Sequence, residues 1–287
     1  MTAATAATAE TTRLLRLGHS PDADDAFMFY GLASGRVATP GLRFEHLLRD
    51  IQTLNDWARE GRLECTAISV HAYAYVADKY ALLAQGASMG EDWGPMVVAK
   101  APLDASDLAG KRIAVPGLLT SAYLELRLAV PDFEPVVVPF DRCMDAVDDR
   151  RADAALLIHE GQLTHRERGF HSVLELWTWW RSLTGLPLPL GANAIRRDLP
   201  PDVSVAAARA LRESIQYALD HRQEALDHAL QYARDLPRAT ADRFVGMYVN
   251  QRTLDLGADG RAAYQELLDR GAAAGLLPAV GTLDFVE

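Results

Sequence analysis

The feature that most constrains this chain is a two-cycle alternation of short extended runs with helical ones. In the first cycle "LLRLGHS", "LRFEHLLRD", "LECTAIS", "ALLAQGAS" and "GPMVVAK" read as strands. Between them, "DADDAFMFYGLASGRV", "IQTLNDWAREG" and "VHAYAYVADKY" read as helices. In the second cycle "KRIAVPG", "EPVVVPF" and "ADAALLIHE" are strands, separated by the helices "LLTSAYLELRLAV" and "DRCMDAVDDR". Alternating strands and helices predict parallel sheets covered by helices. Two extended segments, "PMVVAK" and "LPLPLGANAI", flank the second cycle. The predicted architecture is therefore α/β in two lobes, joined by a pair of strand-like hinges around a central cleft, where a ligand would lie.

The boundaries follow from this division. Residues 13–100 with 192–287 form a larger discontinuous lobe, 101–191 a smaller one, and 1–12 an Ala/Thr-rich disordered leader. "HSVLELWTWW" is expected to be extended, with Trp177, Trp179 and Trp180 serving as core more readily than as a stacking platform for a flat ligand. Beyond "LPPD" the chain reads as helices packed on the first lobe, the first of them capped by Asp202.

Charge narrows the partners. A formal net charge of -10 leaves no basic footprint for nucleic acid and disfavours anionic membrane surfaces. Cys65 and Cys143 lie far apart, each within a mixed apolar stretch, and read as free thiols. No run approaches a membrane span, and the first residues lack the basic cluster and apolar core of a signal peptide, so a cytoplasmic location is expected. The reading leaves a homodimer open.

Four turns carry candidate chemistry. In "HSPDADDAF", His19, Asp22, Asp24 and Asp25 read as a cap, as a cation cluster, or as the rim of a cleft at the carboxyl end of a parallel strand. Ser69 meets a helix start, where a serine caps or aims its hydroxyl at a ligand. Thr120 and Ser121 open an amphipathic helix after "VPG"; free N–H groups, the helix dipole and two hydroxyls make a carboxylate or phosphate seat, or a plain cap. His159 ends an apolar strand. It lacks H-E-x-x-H spacing, because His165 comes too late to share a helix face, so zinc is not expected. A lone histidine there is a hydrogen-bonded structural residue or a general base reaching into the cleft.

Taken together, "LGHSPDADDAFMFYGLASGRV", "IQTLNDWAREGRLECTAISVHAYAYV", "VPGLLTSAYLEL", "ALLIHEGQLTH" and "TGLPLPLGA" resemble the 1,4-dihydroxy-6-naphthoate synthase family, which serves the futalosine route to menaquinone. The likeness runs from about Leu14 to the C-terminus. It implies the fold of type-2 periplasmic solute-binding proteins. It also implies a carbon–carbon lyase acting on cyclic dehypoxanthine futalosine, a small aromatic carboxylate, with no metal or organic cofactor. His159 matches the family's proton acceptor, and Ser69, Thr120 and Ser121 match its substrate contacts, with Ala67, Ile68 and Asp24 in the flanking positions. The family usually has a lysine where Ala67 stands, leaving backbone contacts there, and an asparagine where Asp24 stands. A solute-binding protein of a transporter and a chorismate dehydratase-like paralogue share the implied architecture.

Overall fold

The computed structural model describes residues 12–233 and 236–287. The expected leader over 1–12, apart from Thr12, lies outside the described residues. Twelve strands are described, in chain order β1 Arg13–His19, β2 Leu42–Leu48, β3 Cys65–Ser69, β4 Tyr80–Leu83, β5 Ser88–Gly90, β6 Met96–Ala99, β7 Arg112–Val115, β8 Glu134–Val137, β9 Ala154–Leu157, β10 His171–Glu175, β11 Leu188–Arg196 and β12 Phe285–Val286.

They form two sheets. One has the order β12-β4-β11-β3-β1-β2, with β5 also paired to β11; the other has the order β10-β6-β9-β7-β8. Neither is wholly parallel, contrary to the alternation's simplest reading. β1 pairs in parallel with β2 and β3, as β7 does with β8 and β9, while β11 runs antiparallel to β3 and β4. β6 likewise runs antiparallel to β9 and β10. These two strands follow the crossings between lobes, so each enters its sheet from the cleft side and runs against the strands that lead into the cleft. Met96–Ala99, expected to close the first lobe, is therefore the second lobe's entering strand. The crossings lie at 91–95 and 185–187.

Several local expectations are corrected. "WTWW" is not extended: β10 stops at Glu175 and a helix spans Leu176–Thr184, ended by Gly185 in the left-handed region. Its aromatic spacing buries Trp180 completely, and the Trp180 indole N–H reaches the Pro187 carbonyl at 2.9 Å, pinning the helix to the second crossing. Asp202 is not the cap of its helix. Pro200 occupies that position and Pro201 opens the helix, putting Asp202 inside the first turn. "ALLAQGAS" splits into β4 and β5 around Gly86, whose φ is +81°.

The long helices Pro201–Asp220, Arg222–Ala229 and Arg238–Tyr248 share one apolar cluster with Phe27, Met28 and Leu83 of the first lobe. A second cluster joins both lobes through Ile68, Val97, Val115, Leu124 and Trp180. Gly18 marks a tight approach: a Cβ there would meet Leu63 and Leu54 side chains at 2.5 and 2.7 Å, so its absence lets the helix Ile51–Arg59 lie directly on β1. Among the described residues no helix is long and apolar enough to cross a membrane. Cys65 and Cys143 are both free and buried.

Candidate active site

The cleft is bounded by loops at the carboxyl ends of four parallel strands, β1 and β3 in one sheet and β7 and β9 in the other. That is where open α/β sheets leave backbone donors and loop side chains facing a crevice. Its cavity volume is about 100 Å³, and it is open at its mouth. Asp24, Ala67, Ile68, Ser69, Thr120, Ser121 and His159 all line it, so the structure gathers in one place the residues singled out from four distant segments.

After β1, Asp22 caps the helix Ala23–Met28 by accepting from the Asp25 N–H at 3.3 Å. Asp25 in turn accepts from the Ser20 N–H at 2.6 Å, closing the turn on itself. Asp24 follows Ala23 in the first helical turn, 4% exposed, with its Oδ1 unpartnered. Burial, reinforced by the neighbouring charges of Asp22 and Asp25, pushes the Asp24 carboxyl well above the usual carboxylate range. Asp25 is pushed the same way by burial and by Asp22. His19 does not join these acids. Its ring contacts His46 at 3.0 Å and the Ser20 carbonyl at 3.2 Å, and burial holds it down to about 3.

After β3, Ser69 occupies the cap position of a four-residue helix, but its hydroxyl does not cap. Instead Asn55, from the helix Ile51–Arg59, grips it twice. The Ser69 N–H donates to Asn55 Oδ1 at 2.9 Å, and Asn55 Nδ2 donates to Ser69 Oγ at 3.0 Å. The oxygen is thus occupied as an acceptor, leaving the hydroxyl proton to donate. Ala67 and Ile68 sit opposite Asn193 and Ala192 of β11 in the ladder.

After β7, Thr120 caps the helix Ser121–Ala129. Its Oγ1 accepts from the Tyr123 N–H at 3.2 Å and donates to the Gly117 carbonyl at 3.0 Å. The Ser121 hydroxyl donates across the gap to the Leu190 carbonyl and accepts from the His71 N–H at 3.4 Å. The Thr120 hydroxyl therefore builds the turn, and the Ser121 hydroxyl joins the lobes. The donors left over at this helix start are the N–H groups of Ser121 and Ala122, which have no acceptor among the described residues. The His71 ring faces the Thr120 carbonyl at 3.2 Å, and burial lowers it to about 4.

After β9, the strand ends at Leu157 and His159 stands two residues beyond, in the left-handed region at φ +53°. A non-glycine residue held there is uncommon and is retained where surroundings impose it. The ring is not core: its side chain is 15% exposed, lines the cleft and meets Phe140 edge-on at 4.9 Å. Its Nδ1 lies 3.3 Å from Asp22 Oδ2 of the other lobe, at an angle short of a formed hydrogen bond. Asp22, Asp24 and His159 are also the described residues that could hold a cation, with ligating atoms within 4.8 Å of one another.

The cleft lining combines two kinds of group. No lysine or arginine lines it among the described residues; it offers helix N–H groups and the Ser69 hydroxyl together with carboxyls and an imidazole. The helix start suits an anion through the dipole and free donors. Sequence reasoning missed Asn193 and Tyr248. Asn193 is 2% exposed with its Oδ1 unpartnered, and Tyr248 is bonded to Gln162 of the other lobe. The polar residue inside the apolar run "GANAI" was a readable signal for Asn193, whereas nothing in its helix distinguishes Tyr248.

Known proteins are similar to this chain over most of its length. A family model described as "Menaquinone biosynthesis" matches residues 15–273. A 1,4-dihydroxy-6-naphthoate synthase of Thermus thermophilus is 44% identical over 262 residues, covering 91% of this chain and 95% of the relative. One from Streptomyces coelicolor is 39% identical over 274 residues, covering 93% and 96%. Among solved structures, a protein from Archaeoglobus fulgidus superposes with a TM-score of 0.89 at 51% identity, covering 92% of this chain and 98% of that one. The alkanesulfonate-binding protein of Xanthomonas axonopodis pv. citri, bound to MOPS, superposes with a TM-score of 0.71 at 17% identity over 92% and 94% of the two chains. That last likeness establishes the periplasmic-binding-protein-like fold alone. With a family model spanning nearly all of the chain and relatives of such identity over nearly their full lengths, the chain belongs to the menaquinone biosynthesis family.

Proposed function

We propose that the chain is a carbon–carbon lyase that converts cyclic dehypoxanthine futalosine to 1,4-dihydroxy-6-naphthoate and the three-carbon fragment dihydroxyacetone. The observation that carries this reading is the presence in one cleft of a cleft-lining imidazole, His159, together with the helix start at Thr120–Ser121. The relatives named for the naphthoate product support the choice of chemistry.

In this reading the aromatic carboxylate rests on the free N–H groups of Ser121 and Ala122 and on the Ser69 hydroxyl. The main chain of Ala67 and Ile68 flanks it. This places charge on fixed dipoles rather than on a flexible cation, which holds the ring in one orientation. The sugar portion then extends toward His159 and Asp24. His159 takes a proton there as general base, and the electron pair left on the substrate drives scission of the carbon–carbon bond. The scission adds no atom from outside and involves no redox change, so the reading needs no cofactor. Closure of the lobes excludes water during the step. We assign the activity to the cytoplasm, in keeping with the biosynthetic role of the relatives.

The test is direct. Purified protein incubated with cyclic dehypoxanthine futalosine is expected to release the naphthoate, detected by absorbance and mass, over many turnovers. Binding of the substrate without product would contradict the lyase and favour a receptor.

A further inference from the structure

The two residues that meet at the base come from opposite lobes. Asp22 lies on the turn after β1 of the seven-stranded sheet, and His159 follows β9 of the five-stranded sheet. Asp22 Oδ2 stands 3.3 Å from His159 Nδ1, with Asp22's side chain 4% exposed. Asp22 Oδ1 is used locally, accepting from the Asp25 N–H. His159 is held in a left-handed backbone conformation that few side chains adopt, with Phe140 against its ring edge. Neither constraint fixes which ring nitrogen carries the proton. A carboxylate on the Nδ1 side does, because it accepts only from N–H.

We propose that Asp22 is the positioning residue for His159: on lobe closure it receives the Nδ1–H, leaving Nε2 bare and turned to the substrate. The base is therefore complete only when the lobes are together. In an opened cleft the imidazole keeps its strand but loses its orienting carboxylate, and so substrate-driven closure assembles the reacting pair. During the step the substrate's proton moves to Nε2, the electron pair stays on the substrate, and the imidazolium so formed faces the Asp22 charge. Nε2 then hands the proton to the product on which the electron pair of the broken carbon–carbon bond has come to rest, which restores the neutral ring, and Asp22 itself neither gains nor loses a proton.

The inference rests on His159 being the proton acceptor, and the experiment separates the two. Asp22→Asn is the informative variant, because asparagine caps a helix as well as aspartate does and so preserves the turn. Its fold is checked by circular dichroism and thermal melting. With protein dialysed against EDTA and saturated with the product 1,4-dihydroxy-6-naphthoate to hold the cleft closed, ¹⁵N spectra of the histidine rings are expected to show His159 protonated at Nδ1 in the parent and as a tautomer mixture in Asp22→Asn. Turnover of cyclic dehypoxanthine futalosine is expected to fall about 10²-fold or more in kcat, with KM within about threefold. An unchanged tautomer together with parental kcat in Asp22→Asn, while His159→Ala is inactive, overturns the role of Asp22 and leaves the base in place. Parental turnover in His159→Ala overturns both.

Discussion

Gln162 of the five-stranded lobe donates its side-chain N–H to the Tyr248 hydroxyl of the other lobe at 2.7 Å, at a depth where both are buried. Tyr248 lines the cleft, so the bond closes one wall of it. A buried hydrogen bond across a gap stabilises whichever state forms it, by about 1 kcal/mol. Tyr248→Phe is accordingly expected to favour the open state. Its substrate affinity should weaken about 3- to 10-fold, with the melting temperature little changed. Steady-state kinetics with calorimetric binding check this, and unaltered affinity would show that the bond does not contribute to closure.

Thr120 illustrates a residue that serves structure and site together. Its hydroxyl holds the N-terminus of the helix whose free N–H groups face the cleft. Thr120→Val keeps the volume and removes the cap. We expect a loss of about 1 kcal/mol in stability and a rise in KM, because the helix start is no longer held in register. Urea unfolding beside a kinetic titration measures both. A change in stability alone would mean the N–H groups do not touch substrate.

Much of this site was legible in the chain. Helix starts announce themselves through Asp, Ser and Thr after a strand pattern, and Ser69, Thr120 and Ser121 all lie at such points. His159 stood out because it terminates "AALLI". What could not be read is pairing between distant segments. Nothing local indicates that Asp22 meets His159, or that Asn193 faces the loop of Gly86, whose added Cβ would come within 1.9 Å of Asn193 Nδ2. The antiparallel course of β6 and β11 was hidden for the same reason, since strand direction within a sheet is a long-range property. The tryptophan-rich run misled because aromatics favour strands, yet its spacing suits one buried helix face and tertiary packing decided.

Glu125 offers a pH-dependent test of the core. It lies in the helix Ser121–Ala129, fully buried, with neither carboxyl oxygen partnered. Burial alone raises its pKa well above the ordinary value of 4.5. Below about 4.5 both folded and unfolded chains hold the proton, so the group adds no pH dependence. As pH rises, the unfolded chain ionises first, and stability is lost until the folded value is reached. Glu125→Met should therefore stabilise the protein by about 2 kcal/mol near neutrality. That gain should shrink as pH falls toward about 4.5, leaving only what the unpartnered neutral carboxyl costs. Denaturant melts across pH check the sign. A gain that grows on acidification would contradict it.

The claim on which the account depends is that the His159 imidazole accepts a proton from a ligand seated on the Thr120–Ser121 helix start. The most direct measurement compares His159→Ala with the parent, using calorimetry for binding of cyclic dehypoxanthine futalosine and product release for turnover. The account predicts binding within a few-fold of the parent and turnover reduced by about 10² to 10⁴. A correctly folded His159→Ala protein that releases the naphthoate at the parental rate would contradict it.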